Sequence, residues 1–384
     1  QAQELQIFAV KKGSAVDSNF PYLMTSCNVF AGVESREINP FRWDGCTWSS
    51  SCNETVLVNP PAVRVATMNI LTNTFPYVVE LAIASEVRFK QLLVEIERLD
   101  ASILGLNEVS KACLQLILAS GFVRRNYYVS ESPSSHNGTL EAQHGCILLS
   151  KFPFKRCFAV DPFPEGGTSG RKAIVGEVVI FGKRIGFCSV HTLAHQKASA
   201  MATRKSQIRN MVEFMKSLES RSFFIMGDLN LHEPAEDARI VENNLLDIWA
   251  ETHFSSEGDQ DPGNTFDPET NSMIARYIPG ECRQMRLDRI LCSKGNYLMP
   301  SAPCYFWGHE AVDSGRDIYL SDHFGLSVDL EYCQEAFQGK SDVQAILIEN
   351  GHKAFREYSL PLLKFSCALS IHCVWLLLRF LGLK

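Results

Sequence analysis

Asp228 and Asn230 stand two residues apart directly after the apolar run SFFIM, and four further blocks end a strand-like segment on similar groups. Those blocks are TMNIL with Asn69, GLNEV with Glu108, LDRI with Asp288, and SDHFGL with Asp322 and His323. Such side chains cost free energy in an apolar core unless they are paired, hydrogen-bonded or metal-bound. Their repetition at strand ends therefore points to one shared site. The chemistry open to that set is metal-assisted hydrolysis of a phosphodiester. One carboxylate holds a divalent cation, another orients and deprotonates water, and amide or cationic groups bind the phosphate oxygens as charge builds.

Each position also has a plain structural explanation. Glu108 is the expected metal ligand, although a Glu at a helix N-terminus is favoured by the macrodipole alone. Asp228 and Asn230, two apart in extended chain, point to the same side, so one can hold water while the other donates to a phosphate oxygen. Side chains of this type also bond their own turn. His323 is expected to bind phosphate and transition-state charge, with a buried Asp288 orienting the imidazole and biasing it positive. Asp322 is then free to approach the metal and water. His191, at the end of RIGFCSV, has a similar role beside the scissile phosphate, and each histidine read alone is as well a surface or satisfied core residue. The combination, rather than any single block, carries the reading.

The elements that must position these residues follow from hydrophobic periodicity. VRVATMNI reads as a strand, and SEVRFKQLLVEIERL carries Phe89, Leu92, Leu93, Ile96 and Leu99 at helical spacing, one face for a sheet. SILGLN, GCILLS, AIVGEVVIF, RIGFCSV, SFFIMG, LDRILC and GLSVDL read as strands, with helices near 110–119 and 197–219. Helices are separated by groups of strands, so strict βαβ alternation is absent. The expected fold is a four-layer α/β sandwich, two packed and mostly antiparallel sheets flanked by helices. Residues 255–286 read as a long irregular insertion.

With 384 residues, 46% of them hydrophobic, the chain can build one large domain. Asn59-Pro60-Pro61 is a breaker, so residues 1–59 are expected to be an extension, 60–332 the catalytic domain, 333–364 a connecting segment and 365–384 a hydrophobic tail. A net charge of −6 argues against broad coating of nucleic acid but leaves room for a local basic groove. Thirteen cysteines without a CxxC pair read mainly as buried thiols, with Cys27, Cys46 and Cys52 left unassigned. Asn53-Glu-Thr and Asn137-Gly-Thr fit the glycosylation acceptor pattern, a weak signal because chance matches are common. The segment FSCALSIHCVWLLLRFLGL over 365–383 nears the roughly 20 residues of a bilayer span, so a membrane anchor and a buried terminal helix stand as alternatives.

Taken in order, Asn69, Glu108, His191, Asp228-x-Asn230, Asp288 and Asp322-His323 resemble the endonuclease/exonuclease/phosphatase superfamily of Mg²⁺-dependent phosphoesterases over residues 63–331. The resemblance implies that Asn69 supports a metal-bound Glu108, Asp322 completes the metal side, and Asp228 positions the nucleophilic water. It further implies that His191 and Asn230 contact phosphate and that Asp288 pairs with His323. Mg²⁺ is the implied cofactor, and Mn²⁺ shares its hard oxygen ligands. Asn107 departs from the family, which usually has Gln before the Glu. The endings SDHFGL, NTFDPETN and RQMRLDRIL further resemble the 5'-tyrosyl-DNA phosphodiesterase branch, which implies a nucleic acid or protein–DNA adduct as substrate and a nuclear or cytoplasmic site of action. Phe266, where that branch usually has Trp, could stack on a base or tyrosyl ring, and Arg276, Arg283, Arg286 and Arg289 could form a phosphate-binding strip. The main rival is a neutral sphingomyelinase-like enzyme held at a membrane by the tail. A scaffold protein with a decayed site is the reading of another class, and its mark, a lost carboxylate or terminal histidine, is absent.

Overall fold

The apolar runs before the polar blocks form the central strands of two stacked sheets in a computed structural model describing residues 27–30, 33–51, 59–132, 140, 143–162, 172–218, 220–253 and 261–339. The segment 365–383, both glycosylation motifs and most of the 333–364 connection lie outside the described residues. No described helix is long and apolar enough to cross a membrane.

Alternation along each strand sorts side chains between three apolar layers. Val63, Val65 and Ile103 from one sheet meet Phe187, Phe224, Met226 and Ile290 from the other in a shared inter-sheet core. Ala66, Met68, Leu104 and Leu106 face outward onto the helices Ser85–Leu99 and Lys111–Ala119. Phe223 and Ile225 face outward onto the helix Ala198–Ser217. Because both faces of the central strands are buried, their sequences read as continuous apolar runs. The result is the expected four-layer α/β sandwich.

The topology gathers the polar blocks at one edge. Val63–Asn69 runs parallel to Ile103–Ser110, with Asn69 opposite Asn107, and Lys183–Ser189 runs parallel to Ser222–Asp228. Helical crossovers join both pairs, so their C-terminal ends, bearing Asn69, Glu108, His191 and Asp228, point the same way. Asp288–Ser293 is antiparallel to Ser222–Asp228, with Asp228 opposite Asp288. Gly325–Phe337 is antiparallel to Val63–Asn69, with Leu326 opposite Thr67. These two strands therefore contribute their N-terminal ends, with Asp288, Asp322 and His323, to the same edge.

One expectation differs from the structure. Residues 27–50, assigned above to an extension, supply strands to both sheets. Val33–Glu37 pairs with Phe154–Asp161, and Phe41–Trp43 pairs with Tyr128–Val129. These strands are only three to five residues long, too short to show periodicity. The 255–286 insertion is irregular as expected where described, held by a Phe266–Met285 bridge and the 3₁₀ turn Ser272–Arg276. Cys46, Cys113, Cys146, Cys157, Cys188, Cys282, Cys292, Cys304 and Cys333 are free thiols.

Candidate active site

Glu108 leaves the strand alternation at a bulge between Leu106 and Val109, and its backbone takes φ of 61°. An extra residue of this kind re-aims a side chain at the end of a strand. Its carboxylate accepts Thr72 N–H at 3.1 Å through Oε2 and Asn69 Nδ2 at 3.3 Å through Oε1. Asn69 Nδ2 also donates to Asp228 Oδ2 at 3.1 Å, so one amide bridges the two acids. Asn107, the residue before Glu108, accepts Asp228 N–H at 2.9 Å and donates to Ser189 Oγ and Cys146 Sγ at 3.2 Å. The shorter amide thus ties the two site strands together from beneath.

Only glycine can precede Asp228. Gly227 has φ of +135°, and a Cβ there would lie 2.1 Å from Val190 O. Asp228 Oδ1 accepts Asn230 N–H at 2.9 Å, and Oδ2 faces His191 Nε2 at 3.3 Å and His323 Nε2 at 4.0 Å. Burial pushes the Asp228 carboxyl up from 3.8 to about 6, against the opposing pull of His323. Asn230, with φ of 48°, donates from Nδ2 to Thr192 O at 3.3 Å.

Across the site, Asp288 Oδ2 holds His323 Nδ1 at 2.7 Å, with Asp288 wholly buried. Burial alone would lower the His323 pKa, but Asp288, Asp322 and Asp228 carry it well above 6.5, so the ring is an imidazolium at neutral pH. Asp322 Oδ2 lies 3.7 Å from His323 Nε2, and Ser321 Oγ lies within hydrogen-bonding distance of both Asp322 Oδ1 and the carbonyl of Asn69. The eight residues Asn69, Glu108, His191, Asp228, Asn230, Asp288, Asp322 and His323 thus converge on one site.

The three residues proposed for substrate contact are placed differently. Phe266 is buried with Ile274 and Leu287 and sets its ring edge-on to His323 at 5.4 Å, so it walls the imidazole instead of presenting a stacking face. Arg286 pairs with Asp247 at 2.8 Å, and Arg289 pairs with Asp237 at 3.0 Å. Arg283 pairs with Glu281. Arg276 donates to the carbonyls of Ala82, Asp317 and Arg316. The strip of cations expected of Arg276, Arg283, Arg286 and Arg289 is therefore broken up by local acids and carbonyls, partners that the spacing of arginines does not reveal.

Other residues that serve the site carry no mark in the sequence. Arg88, fully buried, donates to the carbonyls of Ile70, Leu71, Leu320 and Ile83 and to Ser85 Oγ, at 2.9–3.0 Å. It clamps the chain after Asn69 to the chain before Asp322. Arg204 grips Glu236 with two nitrogens and the carbonyls of Leu193 and His195 with the third. It fixes the turn after His191 to the turn after Asn230. Thr265 Oγ1 accepts Asp288 N–H, and Asn271 Nδ2 donates to Ser321 O, which accounts for the NTFDPETN block. Tyr277 donates its phenol to Asp322 Oδ2, and burial together with that carboxylate holds the phenol pKa well above 10.

Among the described residues, no three His, Cys, Asp or Glu side chains close around one point as a metal cage. The donors are nonetheless hard oxygens, with Glu108 on the open side at 15% side-chain exposure. Mg²⁺ takes only one or two carboxylates and keeps several waters, so this donor set fits it.

The model for the Endonuclease/Exonuclease/phosphatase family matches residues 66–323. No curated protein matches the sequence. Among solved structures, TDP2 of D. rerio complexed with a single-strand DNA product is 18% identical, with a TM-score of 0.56 over 71% of this chain and 100% of that one. TDP2 from C. elegans is 20% identical, with a TM-score of 0.54 over 71% of this chain and 76% of that one. Beta toxin from Staphylococcus aureus is 17% identical, with a TM-score of 0.50 over 69% and 99%. At these identities the likeness is one of fold.

Proposed function

The chain belongs to the endonuclease/exonuclease/phosphatase family, and from that premise we propose that it is a Mg²⁺-dependent phosphodiesterase acting on 5'-linked DNA adducts. The observation that carries the reading is Asp228. This buried carboxylate is bridged to Glu108 by Asn69 and faced by two imidazoles. Glu108 would hold the metal with Asp322, and when bound the ion would neutralise phosphate charge and polarise a phosphate oxygen.

The protein's own residues supply the remaining steps. Asp228 orients a water for in-line attack and accepts its proton, a task suited to a carboxylate whose pKa is raised to about 6. His323, kept cationic by Asp288, donates to a phosphate oxygen as charge accumulates. Asn230, whose backbone N–H bonds Asp228 Oδ1, and His191, whose Nε2 faces Oδ2, supply further donors. Asn69 fixes Glu108 and Asp228 relative to each other, so neither must reorganise during the reaction.

The DNA-adduct substrate is supported by the SDHFGL and NTFDPETN blocks and by the fold shared with TDP2, one structure of which holds a single-strand DNA product. The test is Mg²⁺-dependent turnover of a 5'-phosphotyrosyl oligonucleotide beside sphingomyelin in detergent micelles, with Asp228→Asn as the blank. Cleavage of the oligonucleotide alone is expected. Cleavage of sphingomyelin alone would replace the substrate assignment with a lipid phosphodiester while leaving the chemistry intact.

A further inference from the structure

We infer that Tyr277 is a positioning residue for this phosphodiester chemistry, holding the Asp322 carboxylate in place through its phenol O–H. The inference rests on the phosphodiesterase reading above and adds a residue that no family block contains. Asp322 has three polar neighbours, two of which compete for Oδ2. Its Oδ1 is within hydrogen-bonding reach of Ser321 Oγ at 3.0 Å, and its Oδ2 lies 3.7 Å from His323 Nε2 while accepting the Tyr277 phenol. An imidazolium this close attracts the carboxylate. If Oδ2 swung onto Nε2, it would consume the donor that His323 must offer to phosphate and withdraw Asp322 from the metal side. The phenol supplies a neutral donor that satisfies Oδ2 without occupying His323.

Tyr277 is itself built to stay in place. Its ring meets Phe75 at 5.7 Å and packs against the cluster of Leu71, Ile83, Met273 and Ile318. The adjacent Arg276 ties the 3₁₀ turn to Ala82 on one side and to Arg316 and Asp317 on the other. Asn271, at the start of the turn, donates to Ser321 O at 2.7 Å, directly beside Asp322. The turn is thus pinned to the segment bearing Ala82 and to the chain that leads into the carboxylate, and the ordering cost of the phenol's hydrogen bond is met during folding. This gives Arg276 a role as a strut for Tyr277.

The test is a double-mutant cycle in the full chain with Tyr277→Phe, Asp322→Asn and both together, assayed on whichever phosphodiester the wild type cleaves. Tyr277→Phe keeps the ring and removes only the hydroxyl. It is expected to lower kcat about 10–100-fold with KM unchanged, the range seen when a residue that orients a ligand is lost. In the Asp322→Asn background the same change is expected to alter kcat less than about twofold, because the group it positions is gone. A wild-type kcat in Tyr277→Phe, or losses that multiply in the double variant, would overturn the assignment while leaving the phosphodiesterase reading standing. Absence of any turnover by the wild type above the Asp228→Asn blank would overturn that reading and this assignment with it.

Discussion

At the scale of single residues, the site is a balance between burying charge and using it. Glu108→Gln removes the expected metal carboxylate and His323→Ala the charged donor. Each should lower kcat at least about 10²-fold, measured as initial rates at saturating Mg²⁺. The same histidine makes stability depend on pH in the metal-stripped protein. Its folded pKa is raised, so its contribution is fully present below its ordinary value of 6.5 and is lost as pH rises through the folded value. Asp228 runs in the same direction. Its raised pKa favours the protonated folded state, a contribution full below 3.8 and lost as pH rises through about 6. With chelator present, the urea midpoint of the wild type should therefore fall between pH 6 and 9 more steeply than that of His323→Gln. Equal slopes would remove His323 from the account. These catalytic residues were legible because a polar group ending an apolar run needs a reason to be there. Phe266 and Arg286 were not, since an aromatic in a wall and one on a surface are the same letter, and Asp247 lies 39 residues from the arginine it neutralises.

At the scale of elements, strands deliver the residues and buried arginines hold the loops that follow. The six site strands could be read from apolar runs, and the parallel pairs explain why their functional ends coincide. Arg88 could not be read in this way. It falls on the apolar face of Ser85–Leu99 beside Phe89 and Leu92, where an arginine breaks the pattern without announcing its partners. Those partners are carbonyls left free where the chain leaves regular structure after Asn69 and before Asp322, so the guanidinium satisfies acceptors that the fold would otherwise bury unpaired. Arg88→Met keeps the volume and removes all of those bonds. It should lower stability by about 3 kcal/mol or more, read from urea unfolding, because several buried carbonyls lose their donor together. Arg88→Lys should recover only part of the loss, since three donors on one nitrogen cannot span two loops as a planar fork does. Full stability in Arg88→Met would show that the loops are held by their other contacts.

At the scale of the whole molecule, the site is built on interior strands of both sheets, and the residues before Pro60 guard the far edges. Val33–Glu37 covers Phe154–Asp161, and Phe41–Trp43 and Trp48–Ser50 extend the sheet beyond Tyr128–Val129. Val33, Ile38 and Phe41 are buried, Trp48 Nε1 donates to Leu118 O at 3.1 Å, and the Arg124 guanidinium sits 4.0 Å from the Trp43 ring. A chain beginning at residue 60 would lose that burial, at about 1.5–3 kcal/mol for each of the three apolar side chains. It would also present the unpaired Phe154–Asp161 edge, a template for pairing with another copy. The truncated chain is therefore expected to unfold at lower urea and to self-associate on size-exclusion chromatography. Turnover per folded molecule should be retained, because none of the residues converging on Asp228 comes from the removed strands. A monomeric truncation with an unchanged urea midpoint would return residues 27–50 to the status of an appended extension, and loss of turnover without loss of stability would mean that these strands reach the site by a route their pairing does not explain.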